Sequence, residues 1–82
     1  MRVEVLFFGQ LRDIAGRASE TVELDAGATM ETLFSRYASQ FPRLRDMAAS
    51  IAMARNREFV AATEPLADGD EVALMPPVSG GS

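Results

Sequence analysis

The sequence predicts an α+β domain: a mixed sheet of about five strands, covered on one face by one main helix and followed by an extended C-terminal tail. Three observations carry this. Short β-type segments, the longer ones alternating with period two, occur at Arg2 to Phe8, Ser19 to Leu24, Ile51 to Ala54, Phe59-Val60 and Glu71 to Met75. A single stripe with helical spacing, Met30, Leu33, Phe34, Tyr37 and Ala38, lies between the second and third of them. The last segment runs into Pro76-Pro77, which cannot continue a sheet ladder, so the chain must leave the domain there. The predicted division is a domain over residues 1–75 and a tail over residues 76–82.

Each element has a local reason. In the first strand Val3, Val5 and Phe7 share one face, while Glu4, Leu6 and Phe8 share the other. The second of these faces starts charged and ends apolar, which is unusual for a side that meets water. Gly9 to Gly16 is a connection with one helical turn around Leu11-Arg12-Asp13-Ile14. Ser19 to Leu24 alternates again, with Val22 and Leu24 expected inward and Glu20 and Glu23 at or near the surface. Asp25-Ala26-Gly27-Ala28 reads as a turn. Thr29 is then a good N-cap and Glu31 places negative charge in the first helical turn, though Thr32 stands where a full capping box would have Glu. Phe41-Pro42 ends this helix, because the residue before proline is pushed out of the helical region. Arg43 to Ala49 reads as a second short helix. Two short strands flank the turn Arg55-Asn56-Arg57-Glu58, and Leu66-Ala67-Asp68-Gly69-Asp70 is a tight turn into the last strand.

Strand, strand, helix, strand, short strand, strand is the order of the β-grasp, the ubiquitin-like fold. It predicts the first and last strands side by side in the centre, with one sheet face left open. Phe8, Met75 and Phe59 are then expected on that face, as an apolar patch around the root of the tail. The alternative is that these side chains fold back into the edge of the domain.

Composition narrows the function. A chain of 82 residues buries only about 60–65% of its unfolded surface, enough for one small core but not for a deep internal active site. Cysteine and histidine are both absent, which removes disulfides, thiol chemistry and the commonest metal ligands. A net charge of −4 speaks against a nucleic-acid partner. No apolar run has the length of a membrane span and no leader precedes Val3, so a cytosolic, membrane-free protein is expected. All eight basic residues are arginine, so no lysine is present to accept an isopeptide bond or form a Schiff base.

Three motifs could carry chemistry. Asp68-Gly69-Asp70-Glu71 gathers carboxylates, but it lacks the spacing of a calcium loop and Asp-Gly is a turn dipeptide; a turn and no metal is the expectation. Arg36, Arg43, Arg45, Arg55 and Arg57 form either a basic edge for an acidic partner or a solvated face. The tail is the third. From Pro76 to Gly81 it can reach roughly 18–20 Å when extended. Gly80 and Gly81 carry no Cβ, so a narrow channel can close around their backbone. The competing reading is an inert Gly-Gly-Ser end.

Val5-Leu6-Phe7-Phe8 with Leu11-Arg12-Asp13-Ile14-Ala15-Gly16 resembles the opening of the molybdopterin synthase small subunit, the MoaD family. Leu66-Ala67-Asp68-Gly69-Asp70-Glu71-Val72-Ala73-Leu74-Met75 and Pro76-Pro77-Val78-Ser79-Gly80-Gly81 resemble its ending. The resemblance implies a sulfur carrier that is not catalytic alone and binds no cofactor itself. A MoeB-like enzyme using ATP and Mg would adenylate Gly81, and a persulfide sulfur-donor protein would convert it to a thiocarboxylate. The tail, Pro76, Pro77, Val78, Ser79 and Gly80 included, would then enter a MoaE-like large subunit in a heterotetramer and give sulfur to cyclic pyranopterin monophosphate. The family's apolar partner surface maps onto Phe8, Phe59 and Met75. Alternatives are a carrier for another pathway (ThiS-like), a ubiquitin-like protein modifier, and an inert interaction domain.

Ser82 departs from the family pattern, in which the second glycine carries the free carboxylate. One extra residue moves that group by about 3.5 Å, and a misplacement of even 1 Å can cost about a hundredfold in rate. With Ser82 attached, the chain is expected to be a poor substrate for adenylation. Removal by a peptidase, addition from outside the natural sequence and loss of sulfur transfer in this member all stay open.

Overall fold

Two strands from opposite ends of the chain pair in the middle of the sheet. The structure is a computed structural model and describes residues 1–76. Pro77, Val78, Ser79, Gly80, Gly81 and Ser82, which make up most of the expected tail, lie outside the described residues. The strands are β1 (Arg2–Phe7), β2 (Ser19–Glu23), β3 (Ala52–Arg55), β4 (Glu58–Phe59) and β5 (Glu71–Met75), in the spatial order β2-β1-β5-β3-β4. β1 and β5 are parallel and the other neighbours antiparallel, as the β-grasp order requires. The helices are α1 (Gln10–Ala15), α2 (Met30–Gln40) and α3 (Pro42–Asp46), followed by a 3-10 turn over Ala48–Ser50.

The core follows from period two. The register Val5↔Val72 and Phe7↔Leu74 puts both central strands' apolar residues on one side, and Val3, Val5, Phe7, Val72 and Leu74 are all buried. Met30, Leu33 and Tyr37 of α2 close over them. One helix does not suffice, however. Leu11 and Ala15 of α1 and Leu44 of α3 are also buried, so the expected single turn at Leu11–Ile14 is a six-residue helix with a core face of its own. The expected second short helix divides at Met47 into α3 and the 3-10 turn.

The start of α2 corrects one sequence expectation. Thr29 Oγ1 accepts from the Thr32 amide at 3.3 Å and Thr32 Oγ1 accepts from the Thr29 amide at 3.2 Å, so the reciprocal capping box is complete with threonine in place of Glu. A hydroxyl both donates and accepts, and the two hydroxyls also lie 3.2 Å apart. The amides of Met30 and Glu31 donate to the Glu64 and Ala62 carbonyls, each at 2.9 Å. All four amides at this helix start are therefore satisfied within the chain. At the other end, Phe41 adopts an extended conformation and Pro42 opens α3 at its first position, as the Phe41-Pro42 step predicts.

Glu20 stands near the surface but has a role of its own. It shares the helix-covered face with Val22 and is half-buried, because the Tyr37 hydroxyl donates to it and Arg17 pairs with it. Tyr37 stands edge-on to Phe7 at a centroid distance of 5.1 Å. Burial first, and the Glu20 carboxylate second, push the Tyr37 hydroxyl far above its ordinary pKa, so it stays a donor.

The β3–β4 hairpin is tied to the turn before β5. Asp70, only 6% exposed, accepts from Arg55 Nε at 2.7 Å, the Ala67 amide at 2.7 Å and Asn56 Nδ2 at 3.0 Å. Arg55 Nη1 also donates to Glu64 at 2.9 Å. Burial pushes the Asp70 carboxyl up, but the hydrogen bonds from Arg55, Ala67 and Asn56 outweigh it and hold the group below the usual carboxylate range. Asp68 accepts from the Arg2 amide at 2.7 Å and Glu71 faces Arg57 at 3.7 Å. The three carboxylates of Asp68-Gly69-Asp70-Glu71 thus serve three separate contacts around a turn with Gly69 at φ +86°.

Replacing Thr29 by Ala is expected to cost about 1 kcal/mol, and Leu33 by Ala about 2–5 kcal/mol, in urea unfolding. Because Asp70 has a folded pKa below its unfolded one, its contribution is complete above about pH 4 and is lost as pH falls through the folded value. The Asp70→Asn variant is expected to be less stable than wild type at pH 7, with a shallower fall in its urea midpoint on acidification.

Candidate functional site

The site is built where β5 leaves the sheet. The Phe8 amide donates to the Leu74 carbonyl at 3.1 Å, continuing the β1–β5 pairing one residue beyond the end of β1. Gly9 follows at φ +55°, and a Cβ there would stand 2.8 Å from Cγ of Pro76. The first proline of the tail therefore rests on a residue without a side chain.

The same register decides which side chains surround the exit. With Val5 and Phe7 turned to the helices, Leu6 and Phe8 turn to the uncovered face; so do Ala73 and Met75 on β5, with Ala54 and Phe59 beside them. Leu6, Phe8, Ala54, Phe59, Ala73 and Met75 form an apolar groove of about 380 Å³, with Arg57 and Glu71 at its polar rim. Phe8 is 46% exposed and Phe59 75% exposed, while Met75 is half-buried. The three residues expected on the open face are all there. Folding back into the domain edge does not describe Phe8 or Phe59, although Met75 contributes to the groove floor. Removing each such side chain from water is worth roughly 1.5–3 kcal/mol, so two or three of them can dominate a modest interface.

Leu6, Ala73, Gly9, Arg57 and Glu71 were not singled out in the sequence as parts of this site. Leu6 shares the parity of Phe8 and could have been found by extending the same alternation. Gly9 could not, because its role depends on a residue at the other end of the chain. Four of the five arginines have partners within the chain: Arg36 donates to the Glu23 carbonyl, Arg55 to Asp70 and Glu64, and Arg57 and Arg45 face Glu71 and Asp46.

What the site can do chemically is limited. The chain has no histidine or cysteine, and among the described residues no group of three acidic side chains could hold a metal ion. The described residues offer an exposed apolar groove beside the end of β5. Among the described residues, no helix is long and apolar enough to cross a membrane.

Comparison with known proteins supplies the rest. Residues 5–81 match the ThiS family. The chain is 40% identical over 83 residues to the molybdopterin synthase sulfur carrier subunit of Chlamydomonas reinhardtii, an alignment covering 99% of this chain and all of that protein. Its fold superposes on SAMP1 from Haloferax volcanii with a TM-score of 0.84 at 32% identity, covering 99% of this chain and 100% of the other. It also superposes with a TM-score of 0.70 at 28% identity on a chain in the complex of subunits 1 and 2 of the molybdopterin-converting factor from Helicobacter pylori, covering 99% and 100%. An alternating β1, a β5 that ends in Pro-Pro, and full-length likeness to sulfur carrier subunits converge: the chain belongs to the ThiS family.

Proposed function

We propose that this chain is the sulfur-carrier subunit of a molybdopterin synthase. The observation that carries this reading is that the family match runs to residue 81, through Gly80-Gly81, on a domain with an apolar groove beside the end of β5. The reacting group is then the carboxylate of Gly81. An adenylating enzyme lets that carboxylate attack the α-phosphate of ATP, releasing pyrophosphate and leaving an acyl-adenylate. A persulfide sulfur attacks the acyl carbon and AMP departs; a thiol then cleaves the S–S bond, is itself oxidised to a disulfide, and leaves the thiocarboxylate. The large subunit receives the apolar groove on its own surface and the tail in its pocket, where the sulfur passes to cyclic pyranopterin monophosphate. Removal of Ser82 precedes activation, and the cycle runs in the cytosol.

A second reading is a protein modifier, favoured by the likeness to SAMP1, which belongs with the small archaeal modifier proteins. In that reading the acyl group ends on amines of other proteins.

Intact-mass analysis of the protein from its native host separates these. The carrier reading expects a species that ends at Gly81, part of it with one oxygen replaced by sulfur, and no high-mass adducts; adducts without any sulfur-bearing species would overturn it. Deleting residues 80–82 is expected to abolish cofactor production in a complementation assay. Phe8→Ala and Phe59→Ala are each expected to weaken binding to the large subunit about tenfold or more in calorimetry, with Glu31→Ala on the exposed side of α2 as the unaffected control.

A further inference from the structure

Phe59 is the most exposed large apolar side chain named in the groove, at 75%, and little of its own packing holds it in place. Its strand, β4, has two residues and, among the described residues, pairs only with β3, through Ala54↔Phe59 and Arg55↔Glu58, with the Val60 amide donating to the Met53 carbonyl at 3.1 Å. The turn that delivers it has Asn56 at φ +50° and Arg57 at φ +72°. Two consecutive non-glycine residues with positive φ give the twist a tight hairpin needs, but at a conformational cost, larger for arginine than for asparagine. A two-residue strand behind a strained turn is held at its far end by Val60, which packs against the core, and needs a second hold at the turn.

The hold at the turn comes from β5. The Asn56 amide donates to the Glu71 carbonyl at 2.7 Å, and the Asn56 side-chain oxygen accepts from the Glu71 amide at 3.0 Å. The Asn56 Nδ2 donates to Asp70, which Arg55 Nε also holds at 2.7 Å. Side chain and backbone of one turn residue are thus fastened to the first residue of the strand whose far end is the tail exit. β5 is five residues long, so it acts as a ruler of about 17 Å between the fastened hairpin and Pro76.

We infer that Asn56, fastened to Glu71 and Asp70 and backed by Arg55, is a positioning residue for partner recognition: it sets Phe59 at a fixed place relative to the tail root. The partner it fits is one that takes an aromatic side chain and the emerging tail at the same time, so that an error in their spacing costs affinity. The inference rests on the docking reading above, and β4 supplies its aromatic anchor.

A double-substitution cycle tests it, with the full chain titrated into the large subunit well below the melting temperature. Asn56→Gly is the informative variant. Glycine accepts φ +50° without strain, so the turn is retained, while the side-chain ties to Glu71 and Asp70 are lost. Asn56→Gly is expected to weaken binding about fivefold, Phe59→Ala about tenfold or more, and the pair no more than about twofold beyond Phe59→Ala alone. A purely structural role for Asn56 would lower the melting temperature and leave the affinity unchanged. Wild-type affinity for Asn56→Gly, or losses that simply multiply in the double variant, would overturn the inference while leaving the docking reading intact. Wild-type affinity for Phe59→Ala would overturn both. If Asn56→Gly does not fold, Arg55→Gln carries the same comparison.

Discussion

The parallel pairing of β1 with β5 is the constraint on which the rest of the molecule depends. Once Val5 lies beside Val72, every second residue of both strands is committed to the core, and those between are committed to the open face. The dry side and the docking side are two consequences of one register. A slip of one residue between them would turn one strand over, sending Val72 and Leu74 into water and bringing Glu71 inside, so the groove is specified as strongly as the core. Binding surfaces that depend on loops have no such protection.

Around this central pair the molecule satisfies its polar groups internally. The amides at the start of α2 are taken by Thr29, Thr32, Ala62 and Glu64, so that helix end is closed by its own chain. Asp70 is taken by Arg55, Asn56 and the Ala67 amide. No buried side-chain nitrogen or oxygen among the described residues lacks a partner. What stays unsatisfied is apolar: Phe8 and Phe59 at the mouth of the tail. A small domain that closes its polar accounts and leaves one hydrophobic strip open is organised for association.

Much of this was legible in the residues, and the failures share a cause. The alternation of β1, the stripe of α2, the helix stop at Phe41-Pro42 and the end of β5 before Pro76 are local patterns, and local patterns translate directly into backbone geometry. The open-face placement of Phe8, Phe59 and Met75 followed from parity plus element order. The errors came from pairings between distant residues. Glu20 was placed at or near the surface, but its tie to Tyr37 was missed because nothing local shows that Tyr37 reaches it. The complete cap at Thr29 was missed because a template asking for Glu overlooks a hydroxyl that can both donate and accept. The Arg55–Asp70 contact and the seat of Pro76 on Gly9 exist only once the sheet order is known.

The all-arginine composition takes on meaning beside this geometry. Guanidinium groups stay protonated and do not capture acyl groups as amines do. The α-ammonium of Met1 donates to the Leu24 carbonyl at 2.9 Å, at the end of β1 remote from the tail exit and about 23 Å away along the strand. With no lysine in the sequence and the Met1 amine at the far end of β1, an acyl donor beside the end of β5 would meet no amine of this domain.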